Sequence, residues 1–118
     1  MQIGIRLHDT KKGTLEERVA IAEEQGFSCA HLALKKVISE YSVADSALTP
    51  GFSCYLKKLF AAHHLDVAVL GCYLNLATPD QAALEKNVHR YMAHIRMASL
   101  LGAGLSLIHI SEPTRLAL

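Results

Sequence analysis

The sequence feature that most constrains the fold of this chain is a repeated succession of a strand pattern and a helix pattern. Strand patterns cover residues 2–8, 27–34 and 66–74, and a helix pattern follows each before the next strand begins. The first strand alternates apolar and polar residues, whereas the third holds a near-continuous apolar run, typical of a parallel strand buried on both faces. This alternation predicts an α/β fold with a parallel sheet and right-handed crossovers.

Capping sequences mark where the helices begin. Thr14-Leu15-Glu16-Glu17 has the form of a capping box, in which side chains of the first turn satisfy backbone N–H groups at the helix start. Thr49-Pro50 and Thr78-Pro79 each combine an N-cap with a proline at the first helical position. We expect Gly26 and Gly102 to end the first and third helices, because glycine adopts the left-handed conformation at little cost.

Apolar residues at helical spacing predict which side of each helix is buried. In the third helix the stripe comprises Leu84, Val88, Tyr91, Ile95 and Ala98. Residues 35–48 interleave Ser, Asp and Glu with apolar residues and predict a loop with a short helical turn.

Three units in about 104 residues take roughly 35 residues each, compared with about 31 in a complete (β/α)8 barrel. The pattern therefore fits either a small open α/β domain or the first three-eighths of a barrel. In both architectures the chemistry lies at the carboxyl ends of the strands. The functional side chains at those ends belong to Arg6, His8, Asp9, Lys35, Cys72, Tyr73 and Asn75.

The first strand is the most informative of the three. If Ile3, Ile5 and Leu7 pack outward on helices, then Gly4, Arg6 and His8 point into the barrel. A polar pair near the top of a barrel interior favours substrate binding. The structural alternatives are that Arg6 forms an ion pair with a later strand and that His8 is a hydrogen-bonded core histidine.

At the end of the third strand, Tyr73 and Asn75 present a phenol and an amide that can hydrogen-bond to the hydroxyl groups of a small polar substrate. Alternatively, Asn75 caps the following turn and Tyr73 fills space. Cys72 is interpreted as a small apolar residue, since no activating neighbour is present in the sequence.

Charge and composition argue against several classes of protein. The chain has 12 Lys+Arg and 11 Asp+Glu, a net charge of +1, without the basic cluster typical of proteins that bind nucleic acids or membrane surfaces. Three widely spaced cysteines indicate neither a disulfide framework nor a zinc site. The histidine pairs 63–64 and 89/94 lack the i, i+4 spacing of helical metal ligands. No apolar run spans a bilayer and no signal peptide is evident, so we expect a cytoplasmic protein.

Three segments together resemble a known family. They are Ile-Gly-Ile-Arg-Leu-His-Asp at 3–9, Gly26-Phe27, and Leu-Gly-Cys-Tyr-Leu-Asn-Leu-Ala at 70–77 followed by Pro79-Asp80. Over residues 1–104 the chain resembles the N-terminal part of the sugar phosphate isomerase/epimerase family, the xylose-isomerase-like (β/α)8 barrels. The Tyr-Leu-Asn-Leu turn is the most specific of these motifs.

The resemblance implies a metal-dependent enzyme that isomerises or epimerises a sugar or sugar phosphate by moving a proton next to a carbonyl. It places His8, Tyr73 and Asn75, with Arg6 beside them, in the substrate pocket. The family's divalent-metal ligands and catalytic glutamates lie on later strands, so no catalytic or metal residue carries over to this chain. We therefore expect the 118-residue chain to be inactive and to bind metal poorly.

The last 14 residues require a separate interpretation. Residues 105–110 alternate as a short fourth strand would, but the run 105–115 also resembles the translation of a transposon-end sequencing adapter. Our hypothesis is that 1–104 is the native barrel segment and 105–118 a non-native tail. Codons unrelated to adapter sequence, recovered from an independent genome, would refute it.

Two other functions remain open at this point. The chain could be a complete small α/β module that binds an anion or a sugar through Arg6, His8 and Asn75, without catalysis. It could also be a fragment of a metal-dependent barrel that resembles apurinic-site endonucleases, although a net charge near zero weighs against this.

Overall fold

A computed structural model describes residues 3–74 and 76–103 and the backbone of residues 105–109. Its strands form one sheet in chain order: β1 (Gly4–Arg6), β2 (Cys29–Ala33), β3 (Asp66–Tyr73) and β4 (Leu105–His109). Every neighbouring pair is parallel. The predicted α/β fold with parallel strands is therefore confirmed, and residues 105–109 form the short fourth strand that the alternation at 105–110 allows.

Helices connect the strands, as parallel pairing requires. Helix α1 (Leu15–Glu24) joins β1 to β2, α2 (Leu34–Val37) and α3 (Pro50–Ala62) lie between β2 and β3, and α4 (Gln81–Leu101) joins β3 to β4. The predicted loop at 35–48 holds α2 and a 3-10 turn at Asp45–Ala47.

Most of the predicted helix boundaries are confirmed. Thr14 forms the complete capping box with Glu17, and the Thr49 hydroxyl accepts the N–H of Phe52. Gly26 and Gly102 have φ of +90° and +76°, in the left-handed region. The predicted start of the third helix was wrong by two residues.

The N-cap of α4 is Asp80 instead of Thr78. The Asp80 carboxylate accepts the N–H of Ala82 at 3.1 Å, and its charge is favourable beside the positive end of the helix dipole. The Thr78 hydroxyl instead accepts the N–H of Asp80 at 3.3 Å, one turn outside the helix.

Strand β1 is shorter than the pattern at 2–8 predicts. After Arg6 the chain turns into a 3-10 helix at Leu7–Asp9, and both the N–H and the hydroxyl of Thr10 donate to the Leu7 carbonyl. Ile3 is 58% exposed and does not pack on a helix as expected. Leu7 is fully buried. The tight turn carries His8 past the end of the strand.

Arg18 stabilises this turn through hydrogen bonds, a role that the sequence analysis did not predict. Its side chain is buried, and its guanidinium donates to the carbonyls of Leu7 (3.2 Å), Thr10 (3.4 Å) and Gly13 (3.3 Å). A buried guanidinium needs such acceptors, and the three loop carbonyls need donors. Arg18 therefore fixes the segment between β1 and α1 that positions His8.

The core lies on one face of the sheet, between the strands and helices α1, α3 and α4. It contains Leu7, Leu15, Val19, Ala30, Leu32, Leu56, Phe60, Leu70 and Met97, among other buried residues. A register shift opposite Ala30 and His31 leaves Ala68 as an extra residue in β3. The shift keeps Val67 and Leu70 on the core side and turns Val69, Gly71 and Tyr73 to the other face.

The buried side of α4 differs from the predicted stripe. Val88 and Ile95 are 41% and 45% exposed, whereas Ala93, His94, Met97, Ala98 and Leu101 are buried. Ala98 is the one buried member of the predicted stripe. The small side chains of Ala93 and Ala98 let the helix approach its neighbours closely. In addition, the Ser53 hydroxyl on α3 donates to the Met97 sulfur at 2.7 Å.

Candidate functional site

Three side chains from three neighbouring strands meet near the carboxyl-terminal edge of the sheet, on the face opposite the core. His8 follows β1, His31 lies in β2, and Tyr73 ends β3. All three are partly buried. We call this set the imidazole–phenol cluster.

The rings of the cluster contact one another in an ordered arrangement. His31 and Tyr73 are stacked, with centroids 6.2 Å apart and an interplanar angle of 14°, and the Tyr73 hydroxyl lies 3.4 Å from His31 Nε2. His8 meets both rings edge-on, at 5.7 Å from His31 and 6.4 Å from Tyr73. The Lys36 ammonium lies 4.6 Å from the centroid of the Tyr73 ring, a cation–π contact.

Gly71 makes room for the His31 ring. A Cβ atom at this position would lie 2.3 Å from His31 Nε2, far inside van der Waals contact. The side-chain alternation of β3 puts Gly71 and Tyr73 on the same face, so His31 lies over the glycine and against the phenol. The glycine is required here for close approach and not for its backbone angles.

Burial lowers the pKa of both cluster histidines below their ordinary value of 6.5. For His8, desolvation is the largest cause, and the Lys36 and Arg6 charges add to it while Asp9 opposes it. For His31, desolvation is followed by the proximity of His8 and Arg6. At neutral pH both imidazoles are therefore uncharged, so each offers one N–H donor and one acceptor nitrogen.

His8 also has unused hydrogen-bonding capacity. Among the described residues, its Nδ1 is buried and has no hydrogen-bond partner. Such an atom in a native fold calls for an explanation, and a bound polar group that supplies the missing bond is one. The expectation that His8 is a satisfied core histidine does not account for it.

Within the described part of the chain, Arg6 pairs with Asp9 and not with a residue of a later strand. Its Nε donates to the Asp9 carboxylate at 2.8 Å, within the turn that follows β1, and both side chains are about half exposed (60% and 46%). Ion pairs this exposed contribute little to stability. Arg6 and Asp9 thus form a charged rim near His8.

The remaining candidates have different positions. Asn75 lies outside the described residues. Cys72 points into the core, where burial raises the pKa of its thiol, which fits its interpretation as a small apolar residue. Lys35 lines a cleft beside the cluster. The structure thus brings His8 and Tyr73 together.

Sequence reasoning missed His31 and Lys36. Alternation along the second strand pattern puts His31 on the face opposite Leu32, which is the one available sequence signal. Recognising it as a site residue required the pairing of β2 with β3, which sets it beside Gly71 and Tyr73.

The cluster does not fit a metal site by itself. Within residues 3–74 and 76–103, no group of three or more His, Cys, Asp or Glu side chains is placed to hold a metal ion. Two imidazoles fall short of the three protein ligands that catalytic zinc sites use. The divalent metal that the family resemblance implies would need ligands from elsewhere.

Acid is expected to destabilise the protein through these histidines. Because the pKa values of His8, His31 and the buried His94 are lowered, the unfolded chain binds protons more tightly than the folded chain. Stability should therefore be nearly constant from about pH 7 to 8 and fall as pH decreases through 6.5. Thermal unfolding across this range measures the slope.

The matched test compares His31→Gln with His89→Gln, since His89 is exposed on α4. His31→Gln should flatten the slope between pH 5 and 6.5, and His89→Gln should leave it unchanged. The carboxylates of Glu17, Glu23 and Glu40, whose pKa values are lowered from 4.5, contribute alike in both variants, so their effect cancels in the comparison. An unaltered slope in His31→Gln would contradict the burial of this imidazole.

Comparisons with known proteins support the architecture. A solved structure described as a "xylose isomerase-like TIM barrel/4-hydroxyphenylpyruvate dioxygenase fusion protein" superimposes with a TM-score of 0.65 at 18% sequence identity. The match covers 92% of this chain and 16% of that one. No family model matches the sequence. No curated protein matches it either.

This likeness shows the fold alone: the described strands and helices have the arrangement of part of a TIM barrel. The helices pack on the other face of the sheet, so in a TIM barrel the face that carries the imidazole–phenol cluster would line the interior. The chain spans about a sixth of the neighbour's length.

None of the helices in the described part of the chain is long and apolar enough to cross a membrane.

Proposed function

We propose that this chain forms the first units of a barrel enzyme that isomerises or epimerises a sugar or sugar phosphate. In this proposal residues 1–104 supply one wall of the substrate pocket. The catalytic carboxylates and the divalent-metal ligands that the resemblance implies come from later strands. The 118-residue chain by itself is then inactive.

The observation that carries the proposal is the imidazole–phenol cluster at the carboxyl ends of three parallel strands. Active sites of TIM-barrel enzymes lie at this end of the barrel. The cluster also contains neutral donors and acceptors in place of charged ones, which suits a ligand rich in hydroxyl groups. The buried Nδ1 of His8 is the atom most in need of such a partner.

In the proposed pocket these residues bind and orient the substrate. His8 and His31, neutral at pH 7, accept hydrogen bonds from or donate them to substrate hydroxyls, and the Tyr73 hydroxyl lies close enough to share one with His31. Lys36 and the Arg6–Asp9 pair make the rim polar. Holding the substrate in one orientation is the contribution expected of this wall.

The reading frame downstream of the Gly104 codon provides the most direct test. The proposal expects a frame that continues for about 150 more residues, with carboxylates and histidines at later strand ends. It further expects adapter sequence in the codons of residues 105–118. Turnover of a ketose phosphate at an enzymatic rate by the purified 118-residue chain would refute the truncation.

The role of residues 1–104 as a wall of the substrate pocket is tested in the protein encoded by the complete reading frame. Tyr73→Phe and His8→Gln each remove a hydrogen bond to bound substrate and should raise KM about tenfold with a smaller effect on kcat. Tyr91→Phe on α4, away from the strand ends, serves as the control. Unchanged KM in both site variants would contradict the assignment of the wall.

The proposed partner is a small sugar or sugar phosphate, without nucleic acid or membrane. A reducing compartment such as the cytoplasm agrees with Cys29, Cys54 and Cys72, which are all free thiols.

A second candidate is a complete α/β module that binds a sugar or an anion without catalysis. The observation that favours it is a continuous core between the sheet and three helices, which includes Leu32, Leu70 and Phe60. Cooperative unfolding and a monodisperse monomer would support this candidate, whereas exposed sheet edges favour aggregation of a barrel fragment.

A further inference from the structure

A cleft of about 900 Å³ lies beside the imidazole–phenol cluster, at the same end of the sheet. Its walls come from the ends of β2 and β3, the start of α2, the turn at 44–46 and the middle of α4. The volume is in the range of small-molecule sites. Tyr73 lines both the cleft and the cluster, so the two are continuous.

Positive charge is concentrated in this cleft. Lys35, Lys36, Lys86 and Arg90 line it, together with one acidic residue, Asp45. Four of the chain's 12 basic residues and one of its 11 acidic residues are thus found here, although the whole chain has a net charge of only +1. The cleft carries a local charge of 4 − 1 = +3.

Arg90 gives the cleft a fixed cationic wall. Its side chain is only 17% exposed, and its guanidinium donates to the Asp45 carboxylate at 3.1 Å and to the Val43 carbonyl at 3.3 Å. Asp45 balances this one charge, and the three lysine ammonium groups remain in excess. An excess of ammonium groups around a concave site favours an anion with several acceptor oxygens.

We propose that this cleft binds the phosphoryl group of a small phosphorylated compound. A phosphate monoester carries up to two negative charges and three acceptor oxygens, which matches ammonium groups on several walls. The binding does not depend on the reaction proposed above. If the cleft serves the proposed isomerase or epimerase reaction, this inference rests on the proposed function. The substrate is then a sugar phosphate instead of a free sugar.

The test uses calorimetric titration of the full 118-residue chain with inorganic phosphate, fructose 6-phosphate and fructose at low ionic strength. We expect both phosphates to bind. The double variant Lys35→Gln/Lys86→Gln should weaken phosphate binding by about tenfold or more. Lys57→Gln/Lys58→Gln removes two exposed charges from α3, outside the cleft, and should change binding less than twofold.

The outcomes separate this proposal from the proposed function. Equal weakening by the two double variants would show general surface electrostatics, and undetectable binding of both phosphates would show no site; either overturns the cleft proposal. If fructose 6-phosphate binds no tighter than inorganic phosphate, the cleft proposal stands and the sugar-binding wall is contradicted. If only fructose binds, the wall stands and the cleft proposal is overturned.

Discussion

Met97→Ala is expected to lower the free energy of unfolding by about 2–5 kcal/mol, the range for removing a buried methionine side chain. Met97 is 1% exposed, belongs to the core, and accepts the hydrogen bond of Ser53 from α3. Removing its side chain leaves a cavity between α4 and α3 and deprives Ser53 of that partner. Small domains are stable by about 5–15 kcal/mol, so the loss should be plain in urea unfolding.

Met92→Ala provides the matched control on the same helix. Met92 is 48% exposed, so the same substitution should change stability by less than about 0.5 kcal/mol. Both variants alter intrinsic helix propensity alike, and the difference between them isolates burial. Similar effects of the two variants would show that α4 does not bury the face described above.

Gly71→Ala is expected to disrupt the imidazole–phenol cluster. The added methyl would lie 2.3 Å from His31 Nε2, so the ring must leave its position over the glycine and lose its stacking on Tyr73. Overpacking of this kind costs about 1–3 kcal/mol. Once the ring moves toward water, desolvation weakens, and the pKa of His31 should rise toward its ordinary value of 6.5.

Gly51→Ala is the control for that substitution. Its nearest neighbour, Thr49 Oγ1, would lie 3.8 Å from the new methyl, an ordinary contact. Alanine in a helix is favoured over glycine by up to about 1 kcal/mol, so this variant should be neutral or slightly stabilised. Thermal unfolding and an NMR titration of the histidine rings measure both effects. An unmoved His31 pKa in Gly71→Ala would contradict the close approach.

The site was only partly predictable because some of its contacts join residues that are far apart in the chain. His8 and Tyr73 were identified because each follows a recognisable strand, where barrel chemistry is expected. His31 carries no comparable local signal, and its contact with Tyr73 joins residues 42 apart in the chain. Lys36 likewise acquires its role only when its ammonium lies against the Tyr73 ring.

The sequence by itself determined the features that depend on neighbours within one turn or one strand. These include the capping box at Thr14, the helix ends at Gly26 and Gly102, and the strand–helix alternation that requires a parallel sheet. Such features arise from hydrogen bonds and backbone angles over a few residues. The local sequence pattern therefore predicts these features directly.

Only the tertiary structure decided which side of α4 is buried, which rings meet His8, and where the basic residues gather. Apolar side chains occur around α4 on more than one side, so its periodicity could not choose between Val88 and Met97. Packing against α3 and the sheet made that choice. The cluster and the cleft exist because parallel strand pairing brings distant strand ends together at one edge, which no local pattern encodes.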